Sequence, residues 1–299
     1  MTIDNNCLAE LKGATKRFGA VVALDGLDLE VRQGELLALL GPNGAGKTTA
    51  ISLMLGLLQP ERGTARLFGQ SPLRVEPRRR IGVMMQEVNP AADLRVREQI
   101  DLVASYYPDP ARTEVVMEMA HLTPLARRFY GKLSNGQKRQ VQFAMAVCGR
   151  PKLLFLDEPT VGLDVQARET MWATLRRLID DGASIVLTTH YLEEAEALAD
   201  RVVVLAKGRV LASGTVPEMR ALVVRTRIQC VSGLPLEQVL GWPGVGSAVR
   251  NGPRLEITAT NAEAVVRQLL AADDDVQELE VRRAGLAEVF TELTQEGTK

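Results

Sequence analysis

Short, unbroken apolar runs alternate with helical patterns along the first two thirds of the chain. The runs that predict buried strands are Leu36–Leu40, Leu153–Leu156, Ile185–Thr188 and Val202–Leu205. Unbroken apolarity over four or five residues is typical of strands buried on both faces, as in a parallel sheet. Between the second and third runs, helical spacing from Met171 to Ile179 predicts a helix that Gly182 ends. A strand, a helix and a strand in this order predict a βαβ unit.

The segments around this α/β pattern have different periodicities. Residues 8–18 and 22–31 alternate between apolar and polar positions, with turn signals at Gly13 and Gly34, which predicts an antiparallel β portion. Residues 87–150 are mostly helical in pattern, so we expect a helical subdomain there.

The pattern changes again after Pro217 and predicts a small α+β extension. Arg225–Val231 and Arg254–Thr260 have strand character, and residues 261–271 have helical character with Asn261 as the cap. A final amphipathic helix is predicted from apolar residues at i, i+3, i+4 and i+7, which are Leu286, Val289, Phe290 and Leu293.

Length and charge limit the class of protein. A chain of 299 residues suits one large domain with a smaller one, and we place them at residues 1–218 and 219–299. Lys and Arg number 36 against 37 Asp and Glu, a balance that gives no general attraction to a phosphate backbone. We therefore expect no nucleic-acid partner. The widely spaced cysteines are expected to be reduced thiols, and they are Cys7, Cys148 and Cys230.

Two membrane signals are missing from the sequence. No apolar run approaches the roughly 20 residues that a helix needs to span a bilayer. The first ten residues also lack the basic and apolar regions of a signal peptide. We expect any membrane role to depend on another chain.

A glycine-rich segment of the form GxxxxGK[ST] follows the first apolar run and precedes a helical run, Thr49–Leu58. Glycines let backbone N–H groups curl around an anion, and the helix N-terminus adds partial positive charge. Lys47 can reach the β- and γ-phosphates, and the Thr48 hydroxyl can ligate Mg²⁺. The pattern predicts a nucleoside triphosphate site. Its candidate residues are Gly41, Pro42, Asn43, Gly44, Ala45, Gly46, Lys47, Thr48 and Thr49.

Two acids end the second apolar run. A carboxylate at the end of a strand beside the phosphate loop is placed to contact the metal, so Asp157 is the candidate Mg²⁺ partner through water. Glu158 is expected on the other side of the strand by the period of two, where it can polarise the attacking water as a general base.

With these motifs in place, the chain resembles the nucleotide-binding domains of the ATP-binding-cassette (ABC) family from about residue 8 to residue 218. Leu133-Ser-Asn-Gly-Gln137 is similar to the LSGGQ signature of that family. Glu158-Pro-Thr-Val-Gly-Leu-Asp164 is similar to its D-loop. Further matches are the Q-loop glutamine, the switch histidine and the aromatic residue that stacks on adenine, here Gln86, His190 and Phe18. The stacking residue favours ATP over GTP.

The resemblance implies an α/β P-loop ATPase that binds ATP and Mg²⁺ and acts as a head-to-tail dimer. The phosphate loop of one chain would face the signature of the other, so that Ser134 and Gly136 contact the partner's nucleotide, with Asn135 and Gln137 beside them. Gln86 would ligate Mg²⁺ and sense a membrane subunit. His190 would hold the γ-phosphate and the attacking water, and Asp164 would communicate across the dimer.

One residue departs from the family pattern. Asn135 stands where the signature usually has the first glycine of a pair. Asn tolerates unusual backbone angles better than most residues, so we expect a working site.

The segment Ala284–Thr294 and the Val161 of the D-loop resemble the branch that exports drugs, polyketides and related hydrophobic compounds. This implies an ATPase at the cytoplasmic face of the membrane, bound to a separate transmembrane permease and to a second ATPase chain, most simply a copy of itself. A soluble cassette protein that acts on ribosomes or DNA is the alternative, and a regulatory nucleotide binder is a third. The cavity that binds the transported substrate would belong to the permease.

Some residues also have plain structural interpretations. Phe18 can be a core residue and Gln86 a polar loop residue. His121 has no functional context, and we expect Tyr106, Tyr107 and Tyr130 to pack within the helical part.

Overall fold

The computed structural model describes residues 6–86, 88–222, 226–283, 285–287 and 289–291. It divides into two compact units, with the boundary between Val216 and Pro217. The strands of the first unit are β1 (Cys7–Phe18), β2 (Val21–Arg32), β3 (Leu36–Leu40), β4 (Arg62–Leu67), β5 (Ile81–Met84), β6 (Leu153–Asp157), β7 (Ser184–Thr188), β8 (Arg201–Ala206) and β9 (Arg209–Gly214). Its helices are α1 (Lys47–Met54), α2 (Val75–Arg78), α3 (Val96–Ala104), α4 (Thr113–Met119), α5 (Asn135–Val147), α6 (Val165–Asp180) and α7 (Leu192–Leu198), and α8 (Val216–Ala221) spans the boundary.

The central sheet has the strand order β5-β6-β7-β3-β8-β9. All neighbours pair in parallel except β8 and β9, which are antiparallel. Every residue of β3, β6 and β7 is buried, so the buried parallel strands predicted from the apolar runs are confirmed. Because β3, β6 and β7 are parallel neighbours, their carboxyl ends meet at one edge of the sheet.

Apolar cores cover both faces of this sheet. Leu154 and Leu156 of β6 join a core with the helical segment, whereas Leu153 and Phe155 join a core with β1, β2 and α1. The alternation follows from the period of two along a strand. The helical character predicted for residues 87–150 is confirmed by α3, α4 and α5 and by short 3₁₀ turns at Thr123–Leu125 and Tyr130–Lys132.

The predicted antiparallel β portion is also present, as a sheet of order β2-β1-β4. Gly34 precedes β3 in a turn as expected. The turn expected at Gly13 is wrong, because Gly13 lies inside β1 with a φ of 56°, where the pairing with β2 shifts between Leu11 and Ala14. A bulge uses the same left-handed backbone that a turn uses, so the sequence signal is shared.

The end of one helix differs from the sequence prediction, and the end of another agrees. Helix α1 is shorter than the predicted run, since it ends at Met54 rather than Leu58. Helix α6 ends at Asp180, and Gly182 follows with a φ of 91°, as predicted for a glycine that ends a helix.

The second unit contains an antiparallel sheet of order β11-β12-β10-β13, and helices α9 and α10 are among its described elements. Its elements are β10 (Thr226–Val231), α9 (Leu236–Leu240), β11 (Val245–Asn251), β12 (Arg254–Ala259), α10 (Ala262–Ala272) and β13 (Gln277–Arg283). The predicted cap is confirmed, because Asn261 Oδ1 accepts a hydrogen bond from the Ala264 N–H at 3.1 Å. Leu286 and Val289 of the predicted final helix are buried and have helical backbone, and Leu293 lies outside the described residues. Arg225, the first residue of a predicted strand, also lies outside them.

Across the described ranges, no helix is both long enough and apolar enough to cross a bilayer. Cys7, Cys148 and Cys230 form no disulfide among the described residues, and Cys148 and Cys230 are buried.

Candidate active site

The phosphate-binding loop joins β3 to α1 at the carboxyl edge of the central sheet. A Cβ at Gly41 would lie 2.5 Å from the Leu205 carbonyl oxygen, and one at Gly46 would lie 2.6 Å from that of Ala23. Gly44 and Gly46 also have φ values of 79° and 105°. Glycine is therefore required by close backbone approach as well as by backbone angle. Pro42, Asn43 and Gly44 remain exposed at the top of the loop, and Ala45 is buried beneath it.

Lys47 closes the loop from inside. Its Nζ donates to the carbonyl oxygens of Gly41 at 2.6 Å and Pro42 at 3.2 Å. Burial lowers the pKa of Lys47, and the carboxylates of Glu158 and Asp157 act in the opposite direction. The ammonium group is thus held over a cradle of backbone groups. Thr48 and Thr49 follow in the first turn of α1, with Thr48 exposed.

Asp157 ends β6 next to the loop and is 2% exposed. The Thr48 hydroxyl lies 3.4 Å from Asp157 Oδ2, and the hydroxyl of Thr188 donates to Asp157 Oδ1. Sequence reasoning missed Thr188. The signal that could have found it is a hydroxyl at the end of β7, since β7 is the parallel neighbour of β6 and ends at the same edge.

Glu158 leaves the strand instead of continuing it. Its φ is 51°, a left-handed backbone conformation that is uncommon for a non-glycine residue and that clusters at functional sites. The Glu158 N–H donates to the Thr188 carbonyl at 3.0 Å and to its hydroxyl at 3.2 Å. Glu158 lies beyond the last residue of β6, so the alternation of side chains along a strand does not apply to it. The predicted orientation, which relied on that alternation, is therefore wrong.

Two predicted residues converge on the Glu158 carboxylate. Gln86 Nε2 lies 3.3 Å from its Oε2, and His190 Nδ1 lies 3.4 Å from its Oε1. Glu158 is mostly covered, with 15% of its side chain exposed, whereas half of the His190 side chain is exposed. One carboxylate with two polar side chains at an open edge is an arrangement that can orient and activate water.

The signature-like segment forms the start of a helix. Helix α5 begins at Asn135, and Ser134 is its cap. Ser134 Oγ accepts from the Gln137 N–H at 3.3 Å, and Gln137 Oε1 accepts from the Ser134 N–H at 3.2 Å, a reciprocal capping box.

Asn135 therefore has an ordinary helical backbone. Neither Asn135 nor Gly136 has a positive φ, so the argument that Asn suits an unusual backbone angle does not apply. The segment lies beside the D-loop-like stretch, since a Cβ at Gly136 would be 3.5 Å from Leu163 Cδ2. Within the described residues, no hydrogen bond or ion pair joins residues 134–137 to the phosphate loop.

Asp164 and Phe18 lie on other elements. Asp164 caps α6, because its Oδ1 accepts from the Ala167 N–H at 2.8 Å. Phe18 ends β1 and is 49% exposed, with Lys16 Nζ 5.7 Å from the ring centre, so the interpretation of Phe18 as a core residue is wrong.

The residues to which the sequence assigned no functional role differ in their exposure. His121 is exposed, with a φ of 55°. Tyr107 and Tyr130 are packed and hydrogen bonded, to the Ile81 carbonyl and to Gln142 respectively. Tyr106 is 70% exposed, so its predicted packing role is wrong.

Known proteins resemble this chain over most of its length. The sequence model of the ABC transporter family matches residues 24–161. A daunorubicin resistance ATP-binding protein of Streptomyces coeruleorubidus is 36% identical over 94% of both chains. A Nod factor export ATP-binding protein I of Paraburkholderia xenovorans is 35% identical over 95% of this chain and 96% of its own.

Solved structures agree with the fold. The ATP-binding subunit of an ABC transporter superposes with a TM-score of 0.67 at 30% identity, over 72% of this chain and 92% of its own. A bacterial ABC transporter cassette, solved as a dimer in a post-hydrolysis state with ADP and Pi, superposes with a TM-score of 0.64 at 25% identity. That match covers 70% of this chain and 98% of the cassette.

Proposed function

This chain belongs to the ABC transporter family of ATP-binding proteins, and we propose that it energises a separate permease that exports drug-like or hydrophobic compounds. Proteins of this family bind ATP and hydrolyse it to drive transport. The observation that carries the hydrolytic part is the position of Glu158, between Gln86 and His190 at the same sheet edge as the phosphate loop.

In the proposed reaction, the phosphate loop binds the triphosphate of ATP, and Phe18 stacks on the adenine. The Lys47 ammonium exchanges its loop carbonyl partners for β- and γ-phosphate oxygens. Glu158 accepts a proton from the attacking water as general base, and His190 donates to the γ-phosphate and orients that water. These roles match the covered carboxylate and the half-exposed imidazole beside it.

Mg²⁺ fits the oxygen donors beside the loop. Thr48 Oγ1 and the buried Asp157 carboxylate are 3.4 Å apart, and Mg²⁺ favours one or two carboxylates with waters and substrate phosphates. We propose that Thr48, Gln86 and Asp157 would hold the ion, Thr48 and Gln86 directly and Asp157 through water. When bound, the ion neutralises charge that develops on the phosphates.

A second chain completes the site in this proposal. Ser134 caps the N-terminus of α5, which begins with Asn135, Gly136 and Gln137, and among the described residues no hydrogen bond or ion pair joins these residues to the phosphate loop of the same chain. A helix N-terminus attracts phosphate, so the segment suits the nucleotide held by a partner ATPase, most simply a copy of this chain. Gly162 and Leu163 of the D-loop-like stretch lie beside Gly136, so this stretch and Asp164, which follows it, would meet the same partner.

Export is supported by relatives that match 94% and 95% of the chain, a share that reaches into its second unit. These relatives are a daunorubicin resistance ATP-binding protein and a Nod factor export ATP-binding protein. We propose that residues 1–218 form the ATPase domain, that residues 219–299 form an accessory domain that assists dimerisation, and that the chain lies at the cytoplasmic face of the membrane through its permease.

The test is a pull-down of tagged Glu158→Gln chain from detergent-solubilised membranes of its host, with ATP and Mg²⁺. The expected result is a multi-spanning membrane protein in stoichiometric amount. A parallel pull-down without nucleotide, together with a Lys47→Ala/Glu158→Gln chain, controls for nucleotide dependence. Recovery of ribosomes or DNA alone would refute the permease partner and support the soluble alternative, while leaving the ATPase assignment intact.

A further inference from the structure

Glu194 is a carboxylate in the first turn of α7 with no accessible surface. Trp172 Nε1 donates to its Oε1 at 2.9 Å, and Thr160 Oγ1 donates to its Oε2 at 3.3 Å. Thr189 is a third hydrogen-bond partner. A buried carboxylate costs free energy unless donors satisfy it, and here the donors come from three separate segments.

Two of these segments carry the residues assigned to hydrolysis. Thr160 lies two residues after Glu158, and Thr189 directly precedes His190. The third partner, Trp172, lies on α6, which starts at the end of the D-loop-like stretch. The carboxylate is therefore a common anchor for the chain leaving Glu158 and the chain entering His190.

Hydrogen bonds from backbone N–H groups close the turn that carries His190. The Tyr191 N–H donates to Thr189 Oγ1 at 2.9 Å, and the Glu194 N–H donates to the Tyr191 carbonyl at 3.0 Å. The imidazole of His190 also packs on the Tyr191 ring, with 4.2 Å between centres. A shift of Thr189 or Tyr191 would thus move His190 relative to Glu158.

The positively charged side chain of Arg168 lies beside the residues that surround Glu194. The Arg168 guanidinium lies 5.6 Å from the Trp172 ring centre and 5.7 Å from that of Tyr191. Burial raises the pKa of Glu194, and the hydrogen bonds from Thr189, Trp172 and Thr160 and the charge of Arg168 oppose that shift. An apolar side chain would fill this space without a desolvation cost, but it would leave the donors unsatisfied.

We propose that Glu194 is a positioning residue for ATP hydrolysis, whose carboxylate sets the distance between Glu158 and His190 by binding Thr160 and Thr189 together against Trp172. This inference rests on the proposed roles of Glu158 and His190. The Glu194 carboxylate is hydrogen bonded to the supporting residues Thr160, Thr189 and Trp172. The side chains that would contact water and phosphate are those of Glu158 and His190.

The experiment measures kcat, KM for ATP and ATP affinity of the purified full chain with Mg²⁺. Glu194→Leu is expected to lower kcat about 10- to 100-fold, since small misplacements of reacting groups cost this much, with KM within about twofold of the parent. Glu194→Gln keeps an acceptor for the indole N–H and is expected to recover most of the rate. Trp172→Phe removes that donor, so it should lower kcat and add little to Glu194→Leu in the double variant.

Two controls separate positioning from packing. Leu198→Ala removes a buried side chain of the same helix outside the cluster, and Glu193→Gln changes its exposed neighbour. Both should keep the parental kcat per folded molecule. A parental kcat in Glu194→Leu would overturn the inference. If Glu194→Leu does not fold, the Trp172→Phe and Thr160→Val variants test the positioning role of Glu194 instead. A parental kcat in both of these variants would overturn the inference.

Glu158→Gln is assayed in the same series. If Glu158→Gln is inactive while the Glu194 and Trp172 variants are unaffected, only the positioning role fails. If Glu158→Gln hydrolyses ATP at the parental rate, the catalytic assignment fails and the inference fails with it.

Discussion

Glu158 Oε1 lies 3.4 Å from His190 Nδ1, although the two residues follow different strands, β6 and β7, and are separated in the chain by helix α6. The contact arises because β6 and β7 are parallel neighbours, so the residues that follow them meet at one edge. The left-handed backbone of Glu158 brings its carboxylate into this position. The pair is the part of the molecule on which the proposed hydrolysis most depends.

Glu158→Gln should lower the ATPase rate about 100-fold or more, because a general base contributes 10²–10⁴ and an amide cannot accept the proton. ATP affinity should stay near that of the parent, since the loop and Lys47 are unchanged. Phosphate release and nucleotide binding measure the two quantities. Glu193→Gln is the control, and a Glu158→Gln chain with parental turnover would show that another group is the base.

Lys47→Ala should weaken ATP binding about 10- to 100-fold, the equivalent of one or two charge-assisted hydrogen bonds to phosphate. Titration calorimetry with ATP measures this, and Lys152→Ala, at an exposed lysine that directly precedes β6, is the control. Equal affinities in the two variants would contradict the assignment of Lys47 to the triphosphate.

The helix caps Ser134 and Asn261 should behave differently when removed. Ser134→Ala and Asn261→Ala each lose a side-chain acceptor for a backbone N–H, so each should cost about 1 kcal/mol of stability in its own unit. Only Ser134→Ala should also lower ATPase activity, because Ser134 is assigned to the partner's nucleotide. Denaturation and ATPase assays on both variants test this, and equal ATPase activities would remove Ser134 from the site.

Glu194 should make stability depend on pH with a definite sign. Its pKa is raised by burial above the ordinary value of 4.5, so the folded protein holds this proton more tightly than the unfolded chain. The contribution is fully present below pH 4.5 and is lost as pH rises through the folded-state pKa.

The measurement is the free energy of unfolding of the parent minus that of Glu194→Gln, taken from pH 4 upwards. Gln keeps hydrogen-bonding atoms but does not titrate, so the difference should fall as pH rises and then level off. A difference that stays constant or increases over this range would show that the carboxyl pKa is not raised.

The sequence by itself determined the parallel core, the antiparallel portion and the phosphate loop. These features depend on local rules: unbroken apolar runs mark buried strands, and a glycine-rich loop before a helix marks an anion site. The family motifs placed Glu158, His190 and Gln86 in one site, because they carry the resemblance.

Tertiary structure decided how these residues meet. A bulge at Gly13 and a turn at Gly34 use similar backbone angles, so only strand pairing separates them. The orientation of Glu158 depends on a backbone angle set by Thr188, which is 30 residues away in the chain. Glu194 has no sequence signal, because its partners are brought together by the packing of α6 and α7. Contacts between distant segments depend on topology, and a local pattern does not contain that information.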